Sequence, residues 1–257
     1  MTEKGRIEIC AIASGSNGNC YYVGNQNSAV LVDAGISFKQ ILQRMNERNL
    51  DPAKIKALFI THEHSDHISG ARVLGKRLRV PVYLTAKTWY GAYKNQRPDY
   101  PSFFEPGDVV EAGSFSVHSF LKNHDAAEPC SFRVQYGEKS VGVFTDIGEP
   151  CENVRNHLEQ CHALFLETNY DEKMLWDGSY PYFLKKRVAS DVGHLSNDQA
   201  FQLLQNHAGS ELKYVLLSHI SKENNTPATA LSVMKPLSQE YQIELTSRFE
   251  ASQVFYL

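Results

Sequence analysis

The sequence has few cysteines, no long apolar run and no large excess of charge of either sign. Its five cysteines include no CxxC pair, so they predict reduced and mostly buried thiols rather than a disulfide framework. No stretch approaches the roughly 18 consecutive apolar residues of a membrane span. The opening residues MTEKGRIEIC also lack the apolar segment of a secretory signal. We therefore expect a cytoplasmic protein without a membrane partner.

The balance of charge excludes a whole-chain attraction to polyanions. The formal net charge is −3 over 257 residues, so any binding of nucleic acid must rest on a local cluster of cations. The chain has no fixed-period repeat, low-complexity tract or linker, and 42% of its residues are hydrophobic, as in ordinary globular proteins. We therefore expect residues 1–257 to form a single domain.

The apolar periodicity predicts two β-rich halves, each with its own helices. Three strands, in RIEICAIA, NCYYVGN and SAVLVDAG, precede a helix with Ser37 as its N-cap. A second β-rich block runs through DVVEAGSFSVHSFLK, CSFRVQYGEK and SVGVFTDIG, and its alternation is typical of a sheet with one solvated face. Helices and strands alternate in the last third. This order predicts an α/β protein in which two sheets pack face to face with helices outside.

Three histidines and two acidic residues are concentrated in ITHEHSDHISG, directly after the apolar strand IKALFIT. His62 and His64 alternate in extended backbone, so both imidazoles point to the same side. A helix with Ser65 or Asp66 as its N-cap, predicted to continue through GKRLR, turns Asp66 and His67 toward a second, neighbouring position. Imidazole and carboxylate are ligands of Zn²⁺ and Mn²⁺. A helix cap needs one Asp or Ser rather than three histidines, so metal binding is favoured.

Isolated polar residues follow three later strands in the same manner. His124 follows FSVHSFLKN, Asp146 follows SVGVFT, and His219 follows KYVLLS. Ligands at strand ends are held by a rigid scaffold and stay open to substrate. A loop histidine at His124 and a turn aspartate at Asp146 are the ordinary alternatives. His194, in GHLSN, precedes a predicted helix.

We interpret the other polar residues at strand ends as residues that support the metal ligands. Glu167 and Asn169, in LFLETNYD, end a strand near the expected site, where residues that orient metal ligands are found. Asp33, after AVLV, is expected to order either its own loop or a ligand. His118 occupies an alternating strand position and is interpreted as structural.

HxHxDH, followed by isolated His, Asp and His after successive strands, resembles the metallo-β-lactamase superfamily. The resemblance extends from SGSNGN to LSHIS and implies a four-layer αββα sandwich of two mixed β-sheets with helices outside. It also implies two divalent metal ions per chain, zinc or manganese. By this resemblance one metal ion would bind to His62, His64 and His124 and the other to Asp66, His67 and His219, with Asp146 bridging both.

The motifs SGSNGN, HEHSDHISG, HDAAEPCSF, FTDIG, GHLSN and LSHISKENNTP together resemble the YycJ/WalJ-like (VicX-like) group of nucleases. This resemblance implies a metal-dependent 5′-to-3′ exonuclease that acts on DNA and is linked to DNA repair. Two metal ions about 3.5–4 Å apart can activate a bridging hydroxide and stabilise charge on a phosphate. Asp66 is then expected to orient that hydroxide. His194 resembles the extra histidine of superfamily phosphodiesterases, which contacts the phosphate or protonates the leaving oxygen.

Contacts to the nucleic acid are predicted from local segments. WDGSYPYFLKKRVAS interleaves aromatic residues with Lys185, Lys186 and Arg187, which suit bases and phosphates respectively. ARVLGKRLR adds four cations after the metal motif: Arg72, Lys76, Arg77 and Arg79. An ordinary solvated helix face explains both segments equally well. In ASGSNGNC, the residues Ser14, Ser16 and Asn17 lie in a loop whose backbone N–H groups suit a phosphate, and a plain hairpin turn is the equal alternative.

Three other functions remain open. One is a small-molecule hydrolase of the glyoxalase II or cyclic-phosphodiesterase kind. Another is RNA processing like that of ribonuclease Z or J, although the chain has no long Gly/Pro-rich arm and no room for a large inserted domain. The third is a metal-binding regulatory protein without turnover, which an open pair of metal sites disfavours. DNA is favoured over RNA; the native metal, oligomeric state and protein partners stay open.

Overall fold

The structure, a computed structural model, describes residues 5–257. Its strands are, in chain order, β1 (Glu8–Ala13), β2 (Cys20–Gly24), β3 (Ala29–Val32), β4 (Ile55–Phe59), β5 (Val82–Leu84), β6 (Pro101–Phe103), β7 (Val109–Ala112), β8 (Phe115–Leu121), β9 (Cys130–Tyr136), β10 (Lys139–Phe144), β11 (Ala163–Glu167), β12 (Tyr214–Ser218), β13 (Gln242–Leu245) and β14 (Phe255–Tyr256). The three early strands and the second β-rich block predicted from the sequence are all present.

The helices lie between these strands. They are α1 (Phe38–Glu47), α2 (Ser65–Ile68), α3 (Ala71–Leu78), α4 (Ala86–Gly91), α5 (Glu152–Leu158), α6 (Glu172–Asp177), α7 (Tyr182–Val188), α8 (Asn197–His207) and α9 (Pro227–Met234), with 3₁₀ turns at Pro52–Lys54 and Lys235–Gln239. Within residues 5–257, every helix is too short or too polar to cross a lipid bilayer.

Both sheets are mixed and follow the same pairing pattern. The first has the order β14-β1-β2-β3-β4-β5-β6 and the second the order β7-β8-β9-β10-β11-β12-β13. Read in these directions, each sheet has three antiparallel pairings followed by three parallel ones. The two halves of the chain therefore repeat one topology.

An apolar core joins the inner faces of the two sheets. Phe59 of β4 meets Phe132 of β9 with ring centroids 5.5 Å apart, and Tyr21 of β2 meets Phe165 of β11 at 4.9 Å. A second cluster packs α1 and α3 on the first sheet, and a third packs α5, α8 and α9 on the second. These four layers confirm the predicted αββα sandwich.

Helix α1 confirms the predicted N-cap. The Ser37 side chain accepts a hydrogen bond from the backbone N–H of Gln40, and the Gln40 side chain bonds back to the N–H of Ser37. This capping box satisfies two of the amide groups that a helix start leaves open. Ile41 and Met45 of the same helix are buried against the sheet.

The long helix predicted after the metal motif is wrong, because two short helices replace it. The N-cap of α2 is His64 rather than Ser65 or Asp66, and the chain breaks between α2 and α3 at Gly70. A Cβ at Gly70 would lie 2.2 Å from the carbonyl oxygen of Ile36, so only glycine permits this close approach.

The solvated outer face predicted for the second sheet is wrong for β9 and β10. Cys130–Val134 of β9 and Ser140–Phe144 of β10 are buried at successive positions, because helices cover the outer face of this sheet. Alternation persists in β8, where His118 is partly exposed between buried neighbours.

Candidate metal centre

The structure brings the seven predicted metal ligands together where strand ends of both sheets meet. The first sheet supplies four of them from the segment after β4, and the second sheet supplies one each after β8, β10 and β12. They are His62, His64, Asp66 and His67 from the first sheet, and His124, Asp146 and His219 from the second.

The first cluster of ligand atoms consists of His62, His64 and His124. His62 Nε2 lies 3.0 Å from His64 Nδ1, and His124 Nε2 lies 3.4 Å from the same atom. All three atoms lie within 4.8 Å of one another. Three imidazole nitrogens at this spacing suit one zinc-like ion.

The second cluster consists of Asp66, His67 and His219. Asp66 Oδ2 lies 3.4 Å from His67 Nε2 and 3.5 Å from His219 Nε2. Asp146 lies between the two clusters, with Oδ2 3.1 Å from His67 Nε2 and Oδ1 3.8 Å from His124 Nε2. Its carboxylate is therefore placed to contact ions in both positions.

Asp33 fixes the orientation of two histidines from beneath. His67 Nδ1 donates to Asp33 Oδ2 at 2.7 Å. The Thr61 hydroxyl also donates to Asp33, and it lies 2.9 Å from His62 Nδ1. These contacts assign the ring protons of His62 and His67 to Nδ1, so both Nε2 atoms face the cluster as lone-pair donors.

Glu167 orients two further histidines, His194 and His219, on the side of the second sheet. Its Oε1 accepts hydrogen bonds from His194 Nδ1 and His219 Nδ1, both at 2.8 Å. Its Oε2 accepts from the backbone N–H groups of Ile147 and Leu195. The carboxylate is fully buried and has four donors, so it holds two rings and two loops in one arrangement.

Backbone strain is concentrated at the same strand ends. Asp33, Asp146 and His219 have φ values of 62°, 54° and 53°, which place them in the left-handed region that residues other than glycine rarely adopt. Each of them directly follows, or lies two residues after, the end of a strand. Three such residues around one cluster are typical of a functional site.

The donor set fits divalent metal ions. Within the described residues, Asp146 Oδ2 and His219 Nε2 are buried and have no hydrogen-bond partner. Unpaired buried polar atoms carry a free-energy cost, which coordination of a cation at these atoms removes. The five imidazoles and two carboxylates match the ligand preferences of zinc and manganese.

The pKa shifts differ among the ligand histidines. Burial lowers the pKa of His124 to about 3 and that of His62 well below its ordinary value, so both rings are neutral, as ligation requires. Burial is outweighed by Asp146 and its neighbouring carboxylates at the other two rings, where they raise the pKa of His219 to about 10 and that of His67 well above its ordinary value, so these two rings give up a proton when a metal ion binds. Burial alone would raise the pKa of Asp146, but His219 and His67 hold it well below its ordinary value. The Asp146 carboxylate is therefore charged.

His194 lies on the wall of a cleft of about 460 Å³ that opens over the cluster. Its side chain is 22% exposed. Because Nδ1 is bound to Glu167, only Nε2 is available to a molecule in the cleft. Ser16, Tyr93 and Arg187 line the same cleft.

The SGSNGN loop borders the cleft as a tight turn closed by a hydrogen bond from Gly18 N to Gly15 O. Ser14 is buried, and its hydroxyl accepts from the N–H of His219 and contacts the Tyr21 hydroxyl. Of the three candidates in this loop, Ser16 and Asn17 are exposed, and Ser16 reaches the cleft wall.

The predicted basic patch of α7 is divided in the structure. Lys185 Nζ donates to the carbonyl of Trp176 at 2.6 Å, and Lys186 lies over the ring of Tyr182 at 5.2 Å. Arg187 pairs with Asp125 and lines the metal-centre cleft. Arg187 is thus the member of the patch that borders the site.

Residues 13–219 match the metallo-β-lactamase superfamily. The chain belongs to that superfamily. It is 33% identical over 247 residues to exodeoxyribonuclease YycJ of Bacillus anthracis, covering 95% of this chain and 94% of the relative. It is 35% identical over 246 residues to exodeoxyribonuclease WalJ of Streptococcus pneumoniae, covering 93% and 91%. The resemblance found in the sequence motifs is confirmed.

Comparison with solved structures gives the same fold. The metallo-β-lactamase fold protein YhfI of Bacillus subtilis superposes with a TM-score of 0.72 at 17% identity, covering 98% of this chain and all of that one. This likeness concerns the fold. Membership of the metallo-β-lactamase superfamily, together with the named relatives, supports a metal-dependent hydrolase.

Some residues of this metallo-β-lactamase site were missed in the sequence. Asn19 Nδ2 lies 3.1 Å from His67 Nε2, and the carbonyl of Gly193 accepts from His124 Nδ1 at 3.0 Å. Asn19 precedes a strand, where a polar residue could have been noticed. Thr61 had a comparable signal, because it lies between the strand β4 and the first histidine of the motif. A backbone carbonyl such as that of Gly193 leaves no signal in side-chain identity.

Proposed function

We propose that this chain is a metal-dependent 5′-to-3′ exonuclease that acts on DNA and is linked to DNA repair. Two curated relatives that match it over more than nine tenths of both lengths are named exodeoxyribonucleases. Because the match extends over nearly the whole chain, it includes the strand ends that carry the candidate ligands. We also propose that residues 1–257 act as one domain, since both sheets contribute to the same cleft.

The position of His194 carries the proposal of phosphodiester chemistry. Its ring borders the cleft beside Asp146, with 3.7 Å between His194 Nδ1 and Asp146 Oδ1, and Glu167 holds that nitrogen. An imidazole that is fixed by a carboxylate and offers its other nitrogen to the cleft is suited to donate a proton. Cleavage of a phosphodiester needs such a donor, because the leaving oxygen must be protonated.

The proposed metal ions are held by the seven ligand residues. When bound, two such ions acidify a water molecule and stabilise the negative charge of a reacting phosphate; zinc and manganese both suit the donor set. The Asp66 side chain is 24% exposed at the cleft, where its carboxylate would orient a nucleophile, and the nucleophile we propose is a hydroxide that would bridge both ions. Arg187 and Ser16 are placed to contact the phosphate.

The free cysteines support a reducing compartment. All five cysteines are free, four of them buried, and burial raises the pKa of Cys130 and Cys161 to about 12. Free thiols without a disulfide are typical of reducing compartments. We therefore propose a cytoplasmic enzyme, where DNA is accessible.

Replacement of His194 by alanine tests the role of this ring. We expect His194→Ala to retain its metal ions, because it is not one of the seven ligands, and to lose roughly 10²–10⁴-fold in turnover of DNA ends. Metal content is measured by atomic spectroscopy and turnover by release of mononucleotides. His207→Ala, which removes a histidine at the end of α8, is the matched control and should keep both properties. Full turnover in His194→Ala would refute the role.

A further inference from the structure

A surface beside the metal centre carries the positive charge that the chain as a whole lacks. Five exposed cations lie on α3 or in the loops around it: Arg72, Lys76, Arg77, Arg79 and Lys94. Asp99 is exposed among them and pairs with Arg72, with 2.8 Å between Arg72 Nε and Asp99 Oδ1. Within residues 5–257, no carboxylate oxygen lies within 4.0 Å of the charged groups of Lys76, Arg77 or Arg79.

Three of these cations line a surface cleft of about 410 Å³. Arg72, Lys76 and Arg79 form one wall, and Pro98 to Tyr100 form the other. The chain has a net charge of −3, so this concentration of positive charge is local rather than a property of the whole molecule. A local cluster of unpaired cations is the electrostatic feature that nucleic-acid backbones require.

One loop connects this cleft with the metal centre. Tyr93 lines the metal-centre cleft beside His64 and Asp66, and Asp99 and Tyr100 of the same loop line the cationic cleft. The side chain of Gln96, midway between them, donates to Ser65 Oγ at 3.0 Å. The two clefts therefore share a border that runs from α2 to α3.

The loop is held in a fixed shape. The Arg97 guanidinium lies 4.8 Å from the centre of the Trp89 ring and donates to the carbonyl groups of Tyr90 and Ala92. Trp89 Nε1 in turn donates to the carbonyl of Pro98 at 3.2 Å. These contacts set the positions of the loop residues on either side.

Two tyrosines on this fixed loop are exposed to solvent. Tyr93 is 70% exposed and Tyr100 is 91% exposed. Exposed aromatic rings next to unpaired cations are the combination that binds single strands, because bases stack on the rings while cations meet the phosphates.

We infer that Tyr93, Tyr100 and the cations Lys76, Arg77 and Arg79 form a track for the single strand that extends from the metal centre. We call this set the α3 track. Tyr93 stacks on a base beside the centre, and the α3 cations contact successive phosphates beyond it. The inference rests on the proposed function, and its ligand is a single-stranded nucleic acid.

The dimensions agree with this assignment. Helix α3 has eight residues, about 12 Å at the usual rise per residue. Its cations are therefore close enough together to contact neighbouring phosphates of one strand. By contrast, all three cations on α7 are engaged within the protein, Lys185 by the Trp176 carbonyl, Lys186 by the Tyr182 ring and Arg187 by Asp125.

The electrostatic part is tested by neutralising the α3 cations. The variant K76Q/R77Q/R79Q is compared with K39Q/K213Q/K235Q, which removes three exposed cations elsewhere. Binding of labelled 15-nucleotide single strands of DNA and of RNA to metal-stripped protein is measured over a salt series. Each lost phosphate contact lowers the salt slope of log K by roughly 0.7, so the slope of the first variant should fall by about 2, and that of the control should not change.

The stacking part is tested at Tyr93. Tyr93→Ala should weaken binding of the single strand roughly 5- to 150-fold, the range expected for loss of one stacked base, whereas Tyr93→Phe should bind like the wild type. Equal loss on DNA and RNA supports a track that contacts the backbone and base faces common to both, and a loss on DNA alone supports a track selective for DNA. Wild-type affinity in Tyr93→Ala would overturn the stacking role.

Two different results would separate a failure of the α3 track from a failure of the proposed exonuclease activity. Hydrolysis of DNA by metal-loaded wild-type protein, combined with equal salt slopes in the α3 variant and its control, would overturn the α3 track alone. A lowered slope combined with intact DNA ends would overturn the exonuclease proposal and leave a binding surface. Thermal unfolding temperatures of the variants should match the wild type, because the substituted side chains are exposed.

Discussion

Three of the seven candidate metal ligands, His62, His67 and His219, are oriented by buried carboxylates behind them. Asp33 binds His67 directly and His62 through the Thr61 hydroxyl, and Glu167 binds His194 and His219. Such partners fix the ring orientation and raise the basicity of the ligand nitrogen. At the residue scale, the centre therefore consists of linked pairs rather than seven independent side chains.

Asp33→Asn tests this linkage without changing a ligand. The amide replaces an acceptor oxygen by a donor that faces the N–H groups of Thr61 or His67. We expect metal affinity to fall roughly 10- to 100-fold, as is typical when a residue that orients a ligand is changed. Competition with a chelating dye measures this affinity. Asp198→Asn, at an exposed position on α8, is the control, and equal affinities in both variants would contradict the linkage.

His157 gives a prediction about pH and stability. Its ring stacks on Phe120 with centroids 4.0 Å apart, and burial together with Arg133 lowers its pKa to about 4. In the unfolded chain the same ring takes up a proton near pH 6.5. Between about pH 6.5 and pH 4 the unfolded state therefore binds more protons, so the free energy of unfolding falls as the pH is lowered.

His157→Phe should remove that contribution while keeping a stacked ring. We expect the difference in unfolding free energy between wild-type protein and His157→Phe to change in favour of the variant as the pH falls from 7 toward 4.5. Urea unfolding of the metal-stripped proteins at several pH values measures this difference. A difference that does not vary with pH would contradict the assignment.

The residues whose role could be predicted from the sequence are those whose side-chain type alone indicates metal binding. Histidines and aspartates after strands were identified as ligand candidates from the sequence, and the structure places them together. The sequence favoured a supporting role for Asp33 and Glu167, but it could not show which ligands they orient. Which ligand each of them orients depends on which way its side chain turns at the strand end.

At the scale of elements, the centre depends on short turns that approach one another closely. The carbonyl of Asp66 accepts from the N–H of Asn19 at 2.8 Å, and Gly35 donates to the carbonyl of Asn19 at 2.7 Å. These bonds join the SGSNGN loop, the loop after β3 and helix α2. The elements that carry the second ligand cluster are thereby fixed to one another.

Gly35→Ala tests this contact between elements. A Cβ at Gly35 would lie 1.6 Å from the Asp66 carbonyl oxygen, which the backbone cannot accommodate without moving α2. We expect a lower unfolding temperature and loss of metal from the second position. Gly137→Ala is the control, because its Cβ would meet no atom within 4 Å, although its φ of 59°, unlike the φ of Gly35, disfavours alanine. Equal metal content in both variants would show that the contact is not required.

The sequence predicted most strands and helices, but it did not predict where a helix breaks or which sheet faces are covered. Capping at Ser37 and the positions of the early strands and of the second β-rich block were identified correctly, because caps and periodicity are local signals. The break at Gly70 and the covered outer face of β10 were not identified, because both follow from contacts with distant segments. β6 and β14 have three and two residues, too few to show a period.

At the scale of the whole molecule, two sheets with the same pairing pattern meet over one cleft. The first sheet contributes the HxHxDH segment, and the second contributes the three later ligands and His194. The proposed ions would therefore be bound by both halves at once. The sequence supported this architecture mainly through the family resemblance, since the order of ligands along the chain does not itself show that two sheets converge.

The most direct test of the proposed exonuclease uses metal-stripped protein and DNA labelled at either end. Single- and double-stranded substrates, with RNA counterparts, are incubated with no metal, with Zn²⁺ or with Mn²⁺. We predict that a 5′ label is released early as a mononucleotide from DNA and only after metal is added, while 3′-labelled products shorten progressively. Intact DNA ends with either metal, or early release of the 3′ label, would contradict the proposed activity.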